Sequence, residues 1–299
     1  MQPALQPLIV CVLAHNEERR IDACLQSIVA DGGGEVPVHV LVNGSTDGTA
    51  RIVRNFAREH SNVSVHVYAE GGKARTWNRF LFQDLADFGA VHVFVDGDAE
   101  VAPGSLGALA QTLERNPRAN AASALPLNGR KVAAYRNYLQ LEHGVFGDLY
   151  ALRGSFLARM RAAGLRLPAD LVGDDALIGA LAKTDLGPDS EWDEDRVLPC
   201  PEAGFLCEPA SLLRPHTLAG QYRRMINYSV RHFQNRMVSH IMRSSGPAGL
   251  PPRLADHYPD WLPRWAPRRD PLHWWFDRAA LARMAQAKRR APLRPAPCA

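Results

Sequence analysis

Apolar positions are continuous from Ile9 to Leu13, the pattern of a strand buried on both faces. Polarity takes over at Asn16-Glu17-Glu18. Asn16 reads as a helix cap, with two acids near the positive end of the helix dipole. Ile21, Leu25 and Ile28 then recur at helical spacing until Gly32-Gly33-Gly34 stops the helix. Val36 to Val42 predicts a second strand that ends at Asn43-Gly44-Ser45. Ile52, Val53 and Phe56 return to helical spacing, and Val63, Val65 and Val67 alternate with polar residues as a third strand. Trp77, Phe80, Leu81 and Leu85 mark a helix. Val91 to Val95 predicts a fourth strand that runs into Asp96-Gly97-Asp98, and Leu106, Leu109 and Leu113 line a helix ending before Pro117.

Strands alternating with helices predict an α/β fold, with a mostly parallel, doubly wound sheet flanked by helices. Ligands of such sheets gather at the carboxyl ends of the strands. The polar clusters His15-Asn16, Asn43-Gly44-Ser45 and Asp96-Gly97-Asp98 all fall there. Beyond about residue 120 the pattern loosens. Tyr135 to Leu149 reads as a helix, Ala176 to Leu181 as a short one and Leu218 to Arg236 as a longer one. From Ser244 the composition turns to Pro, Arg and Trp. The chain therefore divides into a domain over 1–243, whose halves meet near 120, and a helical or irregular extension over 244–299.

Composition narrows the function classes. The apolar fraction of 46% supports a sizeable core, and a net charge of +4 suits an anionic ligand without calling for nucleic acid. The five cysteines give an odd count in a long chain, and Cys200 and Cys207 lack partners at zinc spacing, so reduced thiols in a cytoplasmic protein are expected. No signal-peptide pattern marks the first residues. No segment approaches the ~20 apolar residues of a membrane span, so the protein is expected in solution or peripheral on the cytoplasmic face of a membrane.

Several constellations carry chemistry. Asp96-Gly97-Asp98 places two carboxylates at the end of a buried strand, where Mg2+ or Mn2+ finds oxygen ligands; the alternative is a polar turn. Gly97 lets backbone approach a ligand. The loop Asn43 to Thr49 offers N–H donors at a helix N-terminus, or simply caps that helix at Ser45 or Thr46. It is neither a kinase-type phosphate loop nor a dinucleotide fingerprint. Lys73, after Gly71-Gly72, reaches a phosphate or sits in solvent. Asp174 and Asp175 are adjacent carboxylates that can raise one another's pKa, as a general base requires, or are exposed helix caps. Beyond them come His216 and Gln221-Tyr222-Arg223-Arg224, whose guanidinium groups can neutralise a diphosphate or form a charged helix face.

Taken in order, these pieces resemble the inverting family 2 glycosyltransferases of GT-A fold. Leu13-Ala14-His15-Asn16-Glu17-Glu18 is similar to their first-strand signature. Val42 to Thr49 is similar to their Asp-Asp-Gly-Ser-Thr-Asp-Gly-Thr loop, and Gly72-Lys73 with Asn78 to their Gly-Lys stretch. Asp96-Gly97-Asp98 is similar to their metal-binding Asp-x-Asp, Asp174-Asp175 to their Glu-Asp, and Gln221 to Met225 to their Gln-x-x-Arg-Trp.

The resemblance, which spans roughly residues 8 to 235, implies a site. Ala14, His15, Asn16, Glu17, Asn43, Lys73, Asp96, Gly97 and Gln221 would bind the nucleotide-sugar. Asp96 and Asp98, with His216, would hold Mn2+ or Mg2+. Asp175, beside Asp174, would be the general base, and Arg224 would stabilise the departing diphosphate. A UDP-sugar is the expected donor, with GDP- or dTDP-sugars as alternatives. The acceptor would be a glycan, a lipid-linked molecule or a small molecule. Val42-Asn43 departs from the usual acidic pair, which touches the base in many members, and Met225 stands for Trp. Two other functions stay open: a sugar nucleotidyltransferase, which would need a basic glycine-rich loop where His15-Asn16-Glu17-Glu18 stands, and a non-catalytic nucleotide-binding scaffold.

In the extension, Trp261, Trp265, Trp274 and Trp275 lie among Arg264, Arg268 and Arg269. They suit either a peripheral membrane contact or burial across the catalytic domain. The basic, Pro-rich stretch from Lys288 to Ala299 reads as disordered.

Overall fold

The computed structural model describes residues 8–32, 34–129, 132–207 and 215–287. The first four strands are β1 (Leu8–Ala14), β2 (Val38–Asn43), β3 (Val63–Tyr68) and β4 (Val91–Asp96). Between them run α1 (Ile21–Gly32), α2 (Thr49–Glu59) and α3 (Lys73–Arg79). There follow β5 (Ala99–Val101), α4 (Ser105–Arg115), β6 (Ala121–Pro126), α5 (Val132–Glu142), β7 (Leu149–Arg153), α6 (Gly154–Ala162), α7 (Asp174–Lys183) and β8 (Val197–Cys207). The chain then enters α8 (Pro215–Ser245), and the described part closes with the short α9 (Tyr258–Trp261) and α10 (Pro271–Ala287).

The eight strands of the described residues join one sheet in the order β3-β2-β1-β4-β7-β6-β8-β5. The first four pair in parallel, as their apolar runs predict, and β6 is parallel to β8. β7 enters antiparallel between β4 and β6. That reversal matters for function. With Val95 opposite Leu149, the start of β7 lies beside the end of β4, so Asp148 arrives next to Asp96.

Alternating strand residues face opposite layers. Cys11, Leu13, Leu41 and Phe94 pack with Trp77 of α3, Phe156 of α6, Ile178 of α7 and Phe233 of α8. Val10, Val12, Val40 and Val93 pack with Ile21 and Leu25 of α1, Val53 of α2 and Leu109 of α4. The sheet is thereby covered on both faces, and its polar strand ends remain as the place where ligands can enter.

Three local expectations are corrected. Asn16 is not a helix cap. It adopts φ 58°, and its side chain accepts from the Thr46 amide at 2.8 Å, while α1 begins only at Ile21. The cap of α2 is Gly48 rather than Ser45 or Thr46, and Asp47 just before it accepts from the Thr49 amide through Oδ1 at 3.0 Å. The stretch 135–149 is not one helix: α5 ends at Glu142, and a turn leads into β7. Periodicity missed the break because Leu139, Phe146 and Leu149, seven and then three residues apart, mimic helical spacing.

The C-terminal segment packs on α8. Trp265 is buried, with its ring 5.2 Å from that of Phe233, and Trp261 lies 5.8 Å from Trp265. Asp277 is fully buried and takes a 2.7 Å bond from Arg268. Trp274 and Trp275 remain exposed. Residues 288–299, read above as disordered, lie outside the described residues. Among the described residues, no helix is long and apolar enough to cross a membrane.

Candidate active site

The site begins where β1 and β2 end. His15 Nδ1 lies 2.6 Å from the Asn43 carbonyl oxygen. The Asn43 side chain is buried; it donates to the Ala14 carbonyl at 3.0 Å and accepts from the Gly72 amide at 3.2 Å. A carboxylate there could not donate to Ala14. Asparagine therefore stands at this position to tie the β1 loop to the Gly71-Gly72 turn. Glu17 lies alongside, its carboxyl pushed up to about 8 by burial and then by the charges of Asp98 and Asp47. These residues, with Leu13, Lys73, Asp96, Gly97 and Asp98, line a cleft of about 320 Å3.

Asp96 and Asp98 stand at the end of β4. Gly97 presses on β1, where an added Cβ would meet the Ala14 Cβ at 3.0 Å, and its amide donates to the Leu13 carbonyl at 2.9 Å. Its need for glycine is thus explained first by strand packing. One oxygen each from Asp96, Asp98 and Asp148 lie within 4.8 Å of one another. Asp148 was missed in the sequence because 135–149 was read as continuous helix. Burial, set only partly against the Lys73 charge, and the nearby Asp148 and Asp98 charges raise the Asp96 carboxyl well above its usual range. Burial and the Asp98 charge push Asp148 up to about 6.

Three crowded carboxylates with oxygen-only donors fit a hard divalent cation, which would relieve both desolvation and repulsion. Below about pH 6 such a cation must displace the Asp148 proton. Mn2+ affinity is therefore expected to rise with pH between 5 and 7, by up to ~10-fold per unit, with protons released on binding. Titration calorimetry in two buffers of different ionisation enthalpy measures that release, and a pH-independent affinity would count against the triad.

Lys73 opens α3 and joins this cleft to a second one. Its Nζ lies 2.6 Å from Asp96 Oδ1, 3.6 Å from Asp174 Oδ1 and 3.2 Å from the Gly147 carbonyl. Burial disfavours the charge, but Asp174 and Asp96 outweigh it and hold the Lys73 pKa well above its ordinary value. The second cleft, about 830 Å3, shares Lys73 and Asp96 with the first and continues past Gly147 to Asp174, Asp175 and Arg231.

The two acids at the start of α7 take different environments. Asp174 is 3% exposed, its Oδ2 has no hydrogen-bond partner among the described residues, and burial raises its pKa. Asp175 faces the cleft and forms a 2.8 Å ion pair with Arg231. The raised pKa expected of the pair falls on the buried member. Arg231, on α8, was not anticipated. It packs on Gly173, whose φ is 81° and where a Cβ would come within 2.5 Å of the arginine Cδ and Nε.

Gln221 and Arg224 sit on α8, with Arg224 exposed and its charge acting on Glu17. His216 lies in the first turn of α8, and its side chain is outside the described residues. The structure therefore brings together Ala14, His15, Glu17, Asn43, Lys73, Asp96, Gly97 and Asp98, and adds Asp148, Gly147 and Arg231.

Comparison with known proteins fits this arrangement. Residues 9–168, more than half of the chain, match the family described as glycosyl transferase family 2. No curated protein matches the chain. Among solved structures it is similar to mannosyltransferase PcManGT from Pyrobaculum calidifontis, solved with GDP-Man and Mn2+. That likeness has a TM-score of 0.62 and 22% identity, over 95% of this chain and 76% of that one. It is similar also to glucosyl-3-phosphoglycerate synthase from Mycobacterium tuberculosis, solved with Mn2+ and UDP-Glc. There the TM-score is 0.51 with 20% identity, over 76% of this chain and 79% of that one. Both likenesses are of fold, the GT-A arrangement expected from the sequence.

Proposed function

The chain belongs to glycosyl transferase family 2 and is a glycosyltransferase, and we propose that it moves a sugar from a nucleoside-diphosphate donor to an acceptor hydroxyl by one displacement with inversion. The observation that carries this reading is the pair of joined clefts. The carboxylate triad lies at their junction, and the Asp175–Arg231 pair lies in the larger one.

The nucleotide occupies the smaller cleft, along His15, Glu17, Asn43 and Asp98. Asp96, Asp98 and Asp148 would hold Mn2+ or Mg2+, which supplies positive charge for the diphosphate. Lys73, at the junction, adds a second cation beside the leaving oxygen, and Arg224 approaches from α8. The donor sugar then projects past Gly147 into the larger cleft. An added Cβ on Gly147 would lie 3.3 Å from Lys73 Nζ and 3.6 Å from Asp175 Oδ2, so this bare backbone separates the leaving-group cation from the base.

Asp175 takes the proton of the acceptor hydroxyl as its oxygen bonds to the anomeric carbon. The bond from that carbon to the diphosphate breaks, and the nucleoside diphosphate leaves with the electron pair. Arg231 fixes the orientation of Asp175, so the base is positioned before the acceptor arrives. Proton NMR of the product tests the stereochemistry. The new anomeric centre is expected to have the configuration opposite to that of the donor, and retention would overturn the single displacement.

A further inference from the structure

α5 buries one residue, Leu139, in the core. Its Tyr135 and Tyr138, three residues apart and so on one helix face, are 53% and 58% exposed and line the larger cleft. Tyr228 of α8, 53% exposed, lines the same cleft. Tyr135 is held by an edge contact to Phe146, ring centroids 6.0 Å apart. These aromatic faces do not serve the core.

The charge of the cleft restricts what they can receive. Lys73 is engaged by Asp96 and Asp174, and Arg231 by Asp175. Against these two cations the lining carries Asp96, Asp148, Asp174 and Asp175. A phosphate or carboxylate on the acceptor would find no unpaired cation among these lining residues and would lie beside the donor's own diphosphate, whose charge the bound metal only offsets. An alkyl chain would bury carboxylates and phenol hydroxyls without partners. A sugar ring fits both constraints, because its C–H face stacks on an aromatic ring while its hydroxyls bond to phenols and carboxylates.

We infer that the acceptor is a neutral saccharide whose ring stacks on Tyr135 and Tyr138 of α5, an assignment that rests on the glycosyl-transfer reading above. The test is saturation-transfer NMR on the full chain with diamagnetic Mg2+ and UDP, using maltose, cellobiose and mannobiose, with glucose 6-phosphate and farnesyl phosphate as charged and alkyl probes. At least one neutral disaccharide is expected to receive saturation at its ring C–H protons. Tyr138→Leu and Tyr135→Leu are expected to weaken its binding about tenfold, whereas Tyr138→Phe and Tyr135→Phe, which keep the stacking face and lose only a hydroxyl, weaken it less. Both tyrosines are exposed, so melting temperatures should stay close to wild type and show that the variants fold. Unweakened binding in the leucine variants, binding of only the phosphorylated or farnesyl probe, or no binding by any of the neutral disaccharides would overturn the assignment. Because the readout needs no turnover, such a failure is separate from a failure of donor binding or transfer.

Discussion

Asp175→Asn is expected to lower kcat for sugar transfer by roughly a hundred- to ten-thousand-fold, with nucleotide affinity close to wild type. The reason is positional. Asp175 lies in the larger cleft, which adjoins the nucleotide cleft at Lys73 and Asp96, and it contributes nothing to the lining of the smaller one. Asparagine is nearly isosteric. It can still accept from Arg231 and from the Ala176 amide, which now donates to Asp175 Oδ1 at 2.9 Å. The fold should therefore hold while the proton acceptor is lost. Single-turnover kinetics with saturating donor, beside direct nucleotide titration, separates the two. Undiminished transfer would remove Asp175 as base. A parallel loss of nucleotide binding would mean that the residue supports the site as a whole.

Lys73→Met should be the most costly change to stability, by about 3 kcal/mol. It strands Asp96 and the nearly inaccessible Asp174 without their shared cation. The figure sits at the low end for a buried ion pair because the Lys73 side chain keeps 26% of its surface in water. The deficit should shrink when Asp174→Asn is added, since the uncompensated charge is then removed. It should shrink also as pH falls. Asp174 already has a folded-state pKa above its unfolded value, and loss of Lys73 raises it further. The folded state then binds more protons than the unfolded state, so stability rises as pH drops through that range. Urea unfolding at pH 5 and pH 7 measures this. A deficit independent of pH and of Asp174 would mean that Lys73 matters only through its packing.

How much of this was legible in the sequence depends on how each residue is positioned. The ends of β1, β2 and β4 could be read because parallel strands are buried runs that stop abruptly at polar residues. Asp96, Asp98, His15 and Asn43 follow from that alone. Asp148 did not, because it is placed by an antiparallel pairing between β4 and β7, and pairing leaves no local mark. Arg231 was hidden for a related reason, since its meaning comes from Gly173 and Asp175, which the fold brings up from distant sequence. Asn43 looked like a defect in a familiar loop, but in the structure it is a two-sided hydrogen-bond tie. The tryptophans of the extension could not be sorted by composition, because it does not tell that Trp265 packs on Phe233 of α8 while Trp275 stays exposed on α10.

The central claim is that a nucleoside diphosphate binds the β1–β4 cleft through a cation held by the acidic triad. The most direct test is the melting temperature of wild type and Asp98→Ala with UDP, GDP, dTDP and CMP, each with and without Mn2+. A ligand that binds only the folded state at a hundred times its Kd adds about 2.7 kcal/mol. The account predicts that one nucleoside diphosphate raises the melting temperature of wild type only when Mn2+ is present, and that Asp98→Ala loses the effect. Stabilisation by none of them, or equal stabilisation of the variant, would contradict it.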